Sequence, residues 1–387
     1  MEPLLIAEGS RFRAELSDLA IDLVAKSAAF KAGLPPALLE PLAQAVRAMN
    51  CYYSNLIEGH DTHPIDIERA LKSDYSADPR KRDLQLEARA HIAVQQWIDE
   101  GALDGRAFSV AAAREVHERF CAMLPEHLMW IADDESGERI KVAPGEFRER
   151  DVRVGKHVPI SSGAIPRFMA RFEEVFSRAG RAEAIVGTAS AHHRLLWIHP
   201  FLDGNGRVAR LTSHAQLLEL IDTGGIWSVA RGFARDVTRY KALLSNCDLQ
   251  RRNDLDGRGN LSEEALAEFT RFFLKTCLDQ VQFMASLMQP DRFRSRVLVW
   301  AAEEIKLGNL PVHADRVLEA LLYRGELTRS GAASVLGLHE RSARRITSVL
   351  LKNGVLTSDT HKASLKLAFP AALASRWMPG LFPEAPS

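Results

Sequence analysis

The chain has 387 residues, of which 46% are hydrophobic and 26% are charged. These proportions are ordinary for a globular enzyme, and the length leaves room for two or three domains. The 50 basic and 50 acidic residues cancel to a formal net charge of zero, so the overall charge points to no class of partner.

The four cysteines are widely spaced and include no Cys-x-x-Cys pair. This spacing excludes a zinc ribbon and a disulfide framework, and it fits a reducing cytoplasm. Acidic residues at Glu2, Glu8 and Glu15 stand where an export signal would be basic, and no apolar run reaches the length of a membrane span. We therefore expect a cytoplasmic protein with no membrane partner.

The first predicted region is helical and covers residues 1–100, ending near a turn-like run at residues 99–105. Within it, apolar periodicity over residues 36–57 predicts a long helix, and Gly59 is the expected stop signal just past its end. Ser54 and Glu58 are four residues apart and therefore share a face. Taken alone, Glu58 is also compatible with an ordinary surface position at a helix end.

A short extended element is predicted next, within a central domain assigned to residues 101–288. Val152 and Val154 alternate after the turn at Pro144 and Gly145, which is the pattern of a short strand in an otherwise helical chain. An ordinary surface hairpin would give the same pattern.

The most distinctive stretch reads His-Pro-Phe-Leu-Asp-Gly-Asn-Gly-Arg-Val-Ala-Arg and covers residues 199–210. Apolar residues recur at helical spacing on both sides of it, over residues 182–198 and 208–218. Pro200 ends the first helix, and the residues after it are typical of a turn. The turn therefore lies at a helix N-terminus, where free amides and the helix dipole favour an anion.

The glycines and arginines of this turn suit a polyphosphate. Gly204 and Gly206 have no side chain to keep a phosphate away, and they permit backbone conformations that direct successive amides inward. Arg207 and Arg210 lie on the same side of the second helix, where both guanidinium groups can fork onto phosphate oxygens.

Two further residues supply chemistry to the same turn. Asp203 offers a hard oxygen ligand of the kind that holds Mg²⁺ beside substrate phosphates. His199 can be a neutral base near pH 7 and accept a proton from an incoming hydroxyl. The alternative is a simple glycine-containing turn between helices, with solvated arginines.

The stretch resembles the signature of Fic-domain proteins, His-Pro-Phe-x-Asp/Glu-Gly-Asn-Gly-Arg-x-x-Arg, at every position. The resemblance implies transfer of AMP from ATP to a Ser, Thr or Tyr hydroxyl of a target protein. It implies His199 as general base, Asp203 as Mg²⁺ ligand and Arg210 as γ-phosphate clamp. It further implies an α/β-phosphate site formed by Gly204, Asn205, Gly206 and Arg207. In the related Doc proteins a Lys replaces the second glycine and phosphate is transferred, so Gly206 favours AMP transfer.

The same resemblance suggests regulation and a route for the target. Ser54, Glu58 and Gly59 match the family's inhibitory helix, Ser/Thr-x-x-x-Glu-Gly/Asn, which implies that Glu58 pairs with Arg210. In some relatives this Glu instead supports AMP removal, and the sequence does not choose between the two uses. The extended element around Arg148 resembles the flap that holds the target segment as an added strand.

Farther along, residues 235–246 resemble the helix that contacts the nucleoside. Tyr240 can stack on adenine, or it can be an ordinary core residue. Cys247 stands where some relatives have Asn, which leaves the preference between ATP and other nucleotides open.

The tail is predicted to be a separate module of residues 312–387, reached through a linker at residues 289–311. Three helices, at residues 313–322, 328–336 and 339–352, precede an extended run over residues 355–369. This order is that of a winged helix, and arginines open the third helix, where a DNA-binding protein would contact bases and phosphates. Dimerisation and target docking are the alternatives for this module.

We therefore predict a mainly α protein, with a Fic helical bundle, a β-hairpin flap and a C-terminal winged helix. The predicted function is an autoinhibited protein adenylyltransferase that uses ATP and Mg²⁺ and modifies itself as well as its targets, and a homodimer formed through the tail stays an open alternative. The alternatives are an ATP-sensing, winged-helix DNA-binding regulator, a de-AMPylating enzyme, and a Fic enzyme for another nucleotide.

Overall fold

The computed structural model describes residues 1–132 and 137–383. Helices dominate these residues and the strands are few and short, so the predicted mainly α fold is confirmed. The chain forms two compact units. The larger unit comprises residues 1–28 and 50–281, and the smaller unit comprises residues 29–49 and 282–387.

The helices are numbered in chain order. They are α1 (Arg13–Ala32), α2 (Pro36–Ile57), α3 (Pro64–Leu71), α4 (Pro79–Asp99), α5 (Val110–Ala122), α6 (Ile165–Phe176), α7 (Arg181–Ile198), α8 (Asn205–Ile221), α9 (Ala230–Arg235), α10 (Val237–Asn246), α11 (Glu263–Leu287), α12 (Pro290–Lys306), α13 (Ala314–Arg324), α14 (Arg329–Leu336), α15 (Glu340–Lys352) and α16 (Ala374–Trp377). The strands are β1 (Trp130–Ala132), β2 (Arg139–Lys141), β3 (Glu326–Leu327), β4 (Leu356–Thr357) and β5 (Leu365–Leu367).

Helices α7 and α8 form the centre of the larger unit. They pack against each other, with α6 beside α7 and both α4 and α5 beside α8. Most of their residues are buried on every side, which marks them as core helices. Buried Phe233, Phe269 and Phe273 pack around His192 of α7. The turn between α7 and α8 is therefore carried by two helices of the core of this unit.

The larger unit contains one short hairpin among its described residues, but not where a strand was predicted. Antiparallel β1 and β2 pair with Ile131 opposite Ile140. The predicted strand at Val152 and Val154 forms only a single bridge, between Val154 and His157, so its position was wrong. Here the Arg148 guanidinium donates hydrogen bonds to the carbonyls of residues 150 and 160. These bonds leave fewer carbonyls for the backbone hydrogen bonds of a β-sheet.

The smaller unit contains the helices predicted for the tail, each displaced by no more than two residues. Helices α13, α14 and α15 pack together, and an antiparallel sheet with the order β3-β5-β4 packs against α13 and α15. The segment predicted as a linker contains the 17-residue helix α12, which buries Phe293, Val297 and Trp300 and packs against α13. The winged-helix assignment itself stays a prediction.

Candidate active site

The turn between α7 and α8 is held in a fixed shape by its own residues. His199 ends α7 in the left-handed conformation, with φ of 51°, and Gly204 begins α8 with φ of 77°. The Asn205 amide side chain binds both backbone groups of Phe201, at 2.9 and 2.8 Å. Phe201 is buried and stacks on His117 at a centroid distance of 4.1 Å. The Asn205 side chain is therefore a brace within the loop, and only its backbone amide faces the helix end.

The first turn of α8 forms a cradle for an anion. The first intrahelical bond runs from the Val208 amide to the Gly204 carbonyl, so the amides of residues 205–207 have no acceptor within the helix. The positive end of the helix dipole adds to their attraction for negative charge. This anion cradle, defined as the amides of residues 205–207 with Gly206 at its centre, lies where the sequence placed a phosphate site.

His199 lies at the lip of the same turn as a neutral imidazole. Burial and the nearby Arg148 guanidinium lower the pKa of His199 to about 4. Above that pH the ring has a free lone pair, which a general base needs in order to accept a proton.

Arg148 fixes the turn from outside. Its guanidinium donates to the carbonyl oxygens of His199 at 2.8 Å, Arg150 at 2.7 Å and Ile160 at 2.5 Å. Its backbone amide also donates to the Pro200 carbonyl at 2.9 Å. Because its side chain is fully buried and its hydrogen bonds go to the backbone, Arg148 positions the loop beside His199 and is not available to a nucleotide.

Glu58 and Arg210 form a partly buried ion pair. Glu58 Oε1 accepts a hydrogen bond from Arg210 Nη2 at 2.5 Å, and Ser54 Oγ accepts one from Arg210 Nε at 2.8 Å. The side chains of Arg210 and Glu58 are 2% and 34% exposed. Burial raises the pKa of Glu58, but the charge and hydrogen bond of Arg210 outweigh it, and the net pKa is lowered. Gly59 follows the end of α2 with φ of 90°, as its position predicted.

The Glu58 carboxylate also reaches into the anion cradle. A Cβ atom added to Gly206 would collide with Glu58 Oε1, and it would lie 3.2 Å from Arg210 Nη1. The carboxylate therefore rests on the one position of the cradle that has no side chain. It occupies a place where a phosphate oxygen could otherwise meet the helix amides and Arg210.

Arg207 has partners that the sequence did not reveal. Its Nη1 donates to Glu87 Oε2 at 3.1 Å, and the same oxygen is 3.0 Å from His60 Nδ1. Glu87, on α4, is buried, and the hydrogen bond that its carboxylate accepts from the His60 ring raises the pKa of His60 despite partial burial. In the sequence, only the position of the Glu87 carboxylate within the apolar face of a helix could have indicated a buried role for it. His60 had no signal beyond its closeness to Glu58.

Asp203 carries an exposed carboxylate beside the cradle. Its side chain is 52% exposed, and its nearest charged partner is Arg207 Nη2 at 3.6 Å. No group of three or more metal-binding side chains occurs within residues 1–132 and 137–383. One exposed carboxylate beside a phosphate site suits Mg²⁺, which keeps several waters and takes its other ligands from substrate phosphates.

A cavity of about 560 Å³ opens beside the cradle. His199, Gly206 and Arg210 line one side of it, and Lys241 and Asp248 of the α10 region line the other. This volume is within the range of sites for small molecules and cofactors. The cavity therefore provides space for a nucleotide whose phosphates lie on the cradle.

Tyr240 borders this cavity but is packed as a core residue. Its side chain is among the fully buried ones, its hydroxyl is 2.7 Å from His192 Nε2, and its ring stacks on Phe233 at 4.4 Å. A base could stack on this ring only after Phe233 or another neighbour moved. Asp248 is also occupied, since it contacts His193 at 2.9 Å and His157 at 3.2 Å.

Known proteins resemble the segment that carries this turn. Residues 107–217 match the family model described as the Fic/DOC family. A protein adenylyltransferase Fic from Drosophila willistoni is 27% identical over 169 residues, which cover 43% of this chain and 31% of that protein. A similar protein from Drosophila ananassae is 26% identical over the same length. The match thus spans less than a third of these relatives.

Solved structures share the fold. Residues 134–508 of Fic-1 from C. elegans align with a TM-score of 0.54 and 17% identity, covering 72% of this chain and 74% of that one. A Fic family protein from Desulfovibrio desulfuricans G20 aligns over 90% of this chain and 96% of its own, with a TM-score of 0.50 and 17% identity.

Across the described residues, no helix combines the length and the apolar character that a membrane crossing requires. The signature turn, the fold around it and the family match all fall on one segment of the larger unit. Residues 107–217 of this chain therefore form a domain of the Fic/DOC family.

Proposed function

We propose that this chain transfers the AMP group of ATP to a hydroxyl side chain of a protein, its own chain included. The observation that carries the proposal is the anion cradle at the start of α8 with the neutral imidazole of His199 at its lip. The naming of relatives as protein adenylyltransferases supports AMP as the transferred group.

ATP binds with its phosphates on the amides of residues 205–207 and its nucleoside in the adjoining cavity. Gly206 allows close approach, and Arg210 forks onto the terminal phosphate once Glu58 has left it. Asp203 would hold Mg²⁺, which would offset the negative charge of the phosphates. Arg207, fixed by Glu87, contributes its charge to the same end of the cradle.

In the reaction, the target hydroxyl oxygen forms a bond to the α-phosphorus of ATP. The bond from the α-phosphorus to the oxygen that bridges it to the β-phosphate breaks, and pyrophosphate leaves with that oxygen. The hydroxyl proton passes to a ring nitrogen of His199, which is neutral above about pH 4. The cradle amides stabilise the charge that builds up on the phosphate oxygens.

The target segment lies in a groove of about 690 Å³ on the other side of His199. Ile131 and Ile140 of the hairpin line one wall, and residues 150–155 line the opposite wall. The β1-β2 sheet has two strands, so each strand has an unpaired edge. An extended segment pairing with one edge would present its hydroxyl to His199 and would be recognised mainly through its backbone.

Glu58 keeps this site inactive. One guanidinium cannot bind a carboxylate and a γ-phosphate in the same place, and the Glu58 carboxylate also covers Gly206. ATP can then enter only in a pose that leaves its terminal phosphate misplaced. Release of Glu58 is the step that converts the resting protein into a transferase.

Mass spectrometry of the Glu58→Gly variant after incubation with a mixed nucleotide pool and Mg²⁺ tests the proposal. We expect an added AMP on Ser, Thr or Tyr residues, and no addition in the Glu58→Gly, His199→Ala double variant. A different added mass would name another transferred group and reject AMP transfer. No addition to the chain or to any protein of a cell lysate would reject the transferase itself.

A further inference from the structure

The smaller unit carries a row of cations on the exposed side of α15. Arg341, Arg344, Arg345 and Lys352 are all exposed, and Ser348 lies between them at helical spacing. The opposite side of α15 is buried through Ala343, Ile346, Thr347 and Leu350. We call the row of Arg341, Arg344, Arg345, Ser348 and Lys352 the α15 basic face.

The cations of this face have no carboxylate partner among the residues that the structure describes. Some other cations of the smaller unit are neutralised: Arg294 pairs with Glu319, Arg376 with Glu303, and Lys366 with Asp359. Charged side chains that stabilise a fold are usually paired with an opposite charge in this way. Three exposed arginines at two successive turns of one helix thus form a concentrated positive potential that the fold itself does not use.

The neighbouring elements extend this surface. The loop between β4 and β5 carries the exposed residues His361 and Lys362. Arg329, at the start of α14, donates to Ser358 Oγ of the same loop at 3.4 Å. The helix before α15 is capped by Thr328 and joined to it by a short turn after Gly337. A helix, a turn, an exposed basic helix and a flanking loop therefore follow one another.

We propose that the α15 basic face binds double-stranded DNA, with α15 in the major groove and the β4-β5 loop on the adjacent backbone. Helix α15 has 13 residues and is about 20 Å long. The major groove of B-DNA, about 12 Å wide, admits a helix of this kind, whereas the deep and narrow major groove of duplex RNA does not. Arginine forks match both phosphate oxygens and the edge of guanine. This proposal is independent of AMP transfer.

Fluorescence anisotropy with the full chain and a labelled DNA duplex of about 20 base pairs, two helical turns, tests the proposal. We expect binding at low salt whose affinity falls steeply as salt rises, because condensed counterions are released. The Arg341→Gln, Arg344→Gln, Arg345→Gln variant should bind at least about 10-fold more weakly. Its slope of log affinity against log salt should be smaller by about 2 to 3, because each phosphate that an arginine neutralises adds about 0.9 to the slope.

A matched variant controls for the change in net charge. Arg292, Lys306 and Arg316 are exposed on α12 and α13, outside the α15 basic face, and their replacement by Gln removes the same number of charges. We expect this variant to bind DNA as the wild type does, and both variants to keep the wild-type circular dichroism spectrum and melting temperature. Absence of binding at low salt, equal weakening in the two variants, or equal binding of an RNA duplex of the same length would each overturn the proposal.

Discussion

Replacing Glu58 by Gly should activate the protein strongly. The substitution removes the carboxylate from both Arg210 and the anion cradle, and it leaves the catalytic turn unchanged. Residue 58 lies outside α2, which ends at Ile57, so a glycine there does not interrupt a helix. The change therefore tests the ion pair with little effect on the rest of the fold.

The expected size of the effect follows from the Arg210 contact. It is a hydrogen bond of 2.5 Å between ionised groups, and its Arg210 side chain is 2% exposed. Hydrogen bonds to charged groups contribute about 1.5–3 kcal/mol. If this pair must open before ATP binds productively, the open fraction of the wild type is about 0.6–8%. Removal of Glu58 should then raise the rate at subsaturating ATP by about 10-fold to 150-fold.

The assay is incorporation of label from α-labelled ATP into the chain itself, at subsaturating ATP with Mg²⁺. Glu8→Gly is a matched control, because Glu8 is exposed in a turn of the larger unit, and it should label as the wild type does. Glu58→Gln should activate less than Gly, since its amide still covers Gly206. Equal labelling of the wild type and Glu58→Gly would refute the competition on which the inhibition rests.

Three further outcomes follow from the geometry. In Gly206→Ala the new Cβ should push the flexible Glu58 carboxylate away from Gly206 and Arg210. The substitution should therefore destabilise the wild type by about 1 kcal/mol, through loss of a partly exposed charged contact, and by less in the Glu58→Gly background; equal costs in urea unfolding would contradict the placement of Glu58. Because Glu87 raises the pKa of His60, their charged contact is complete below pH 6.5 and is lost as pH rises through the higher folded pKa. Loss of this contact loosens the turn that carries Glu58, so the ratio of wild-type labelling to Glu58→Gly labelling should increase as pH rises across that range. The His60→Gln variant should lack this pH dependence. If its pH profile matched that of the wild type, a contact of His60 with Glu87 would be contradicted. His91 is buried, and burial lowers its pKa to about 3, so protonation of the unfolded chain costs stability as pH falls below 6.5. In His91→Leu the difference in unfolding free energy between pH 7 and pH 5 should shrink by about 2 kcal/mol, whereas an unchanged difference would contradict a neutral His91.

Local patterns were enough to predict the helices but not their packing. Periodicity and caps placed α13 to α15 within two residues of their observed bounds, because each is a short amphipathic helix with a clear stop signal. The same reasoning placed a strand at Val152 and Val154, where only a bridge forms. Alternation over three residues could not show that Arg148 would bind the nearby carbonyl groups.

The candidate site divides in the same way between what is local and what is not. The turn with Gly204 and Gly206 is contiguous, so its sequence shows the cradle directly. The pairing of Glu58 with Arg210 joins residues 152 positions apart, and it was implied only by the resemblance to Fic proteins. The contact between Arg207 and Glu87 spans 120 positions and belongs to no sequence motif. It results from the packing of α4 on α8, which the sequence alone does not show.

The turn at residues 58–60 contributes contacts at both arginines of the signature, Arg207 and Arg210. Glu58 binds Arg210 directly, and His60 shares Glu87 with Arg207. Residues 58–60 lie beyond the end of α2 and are held by backbone bonds to residues 55 and 56. Displacement of this one turn would break both side-chain contacts without unwinding α2. In the proposed function the resting state is therefore a property of a three-residue segment, and a partner or nucleotide that moved this segment would release Arg210 from Glu58 and Glu87 from His60 in one step.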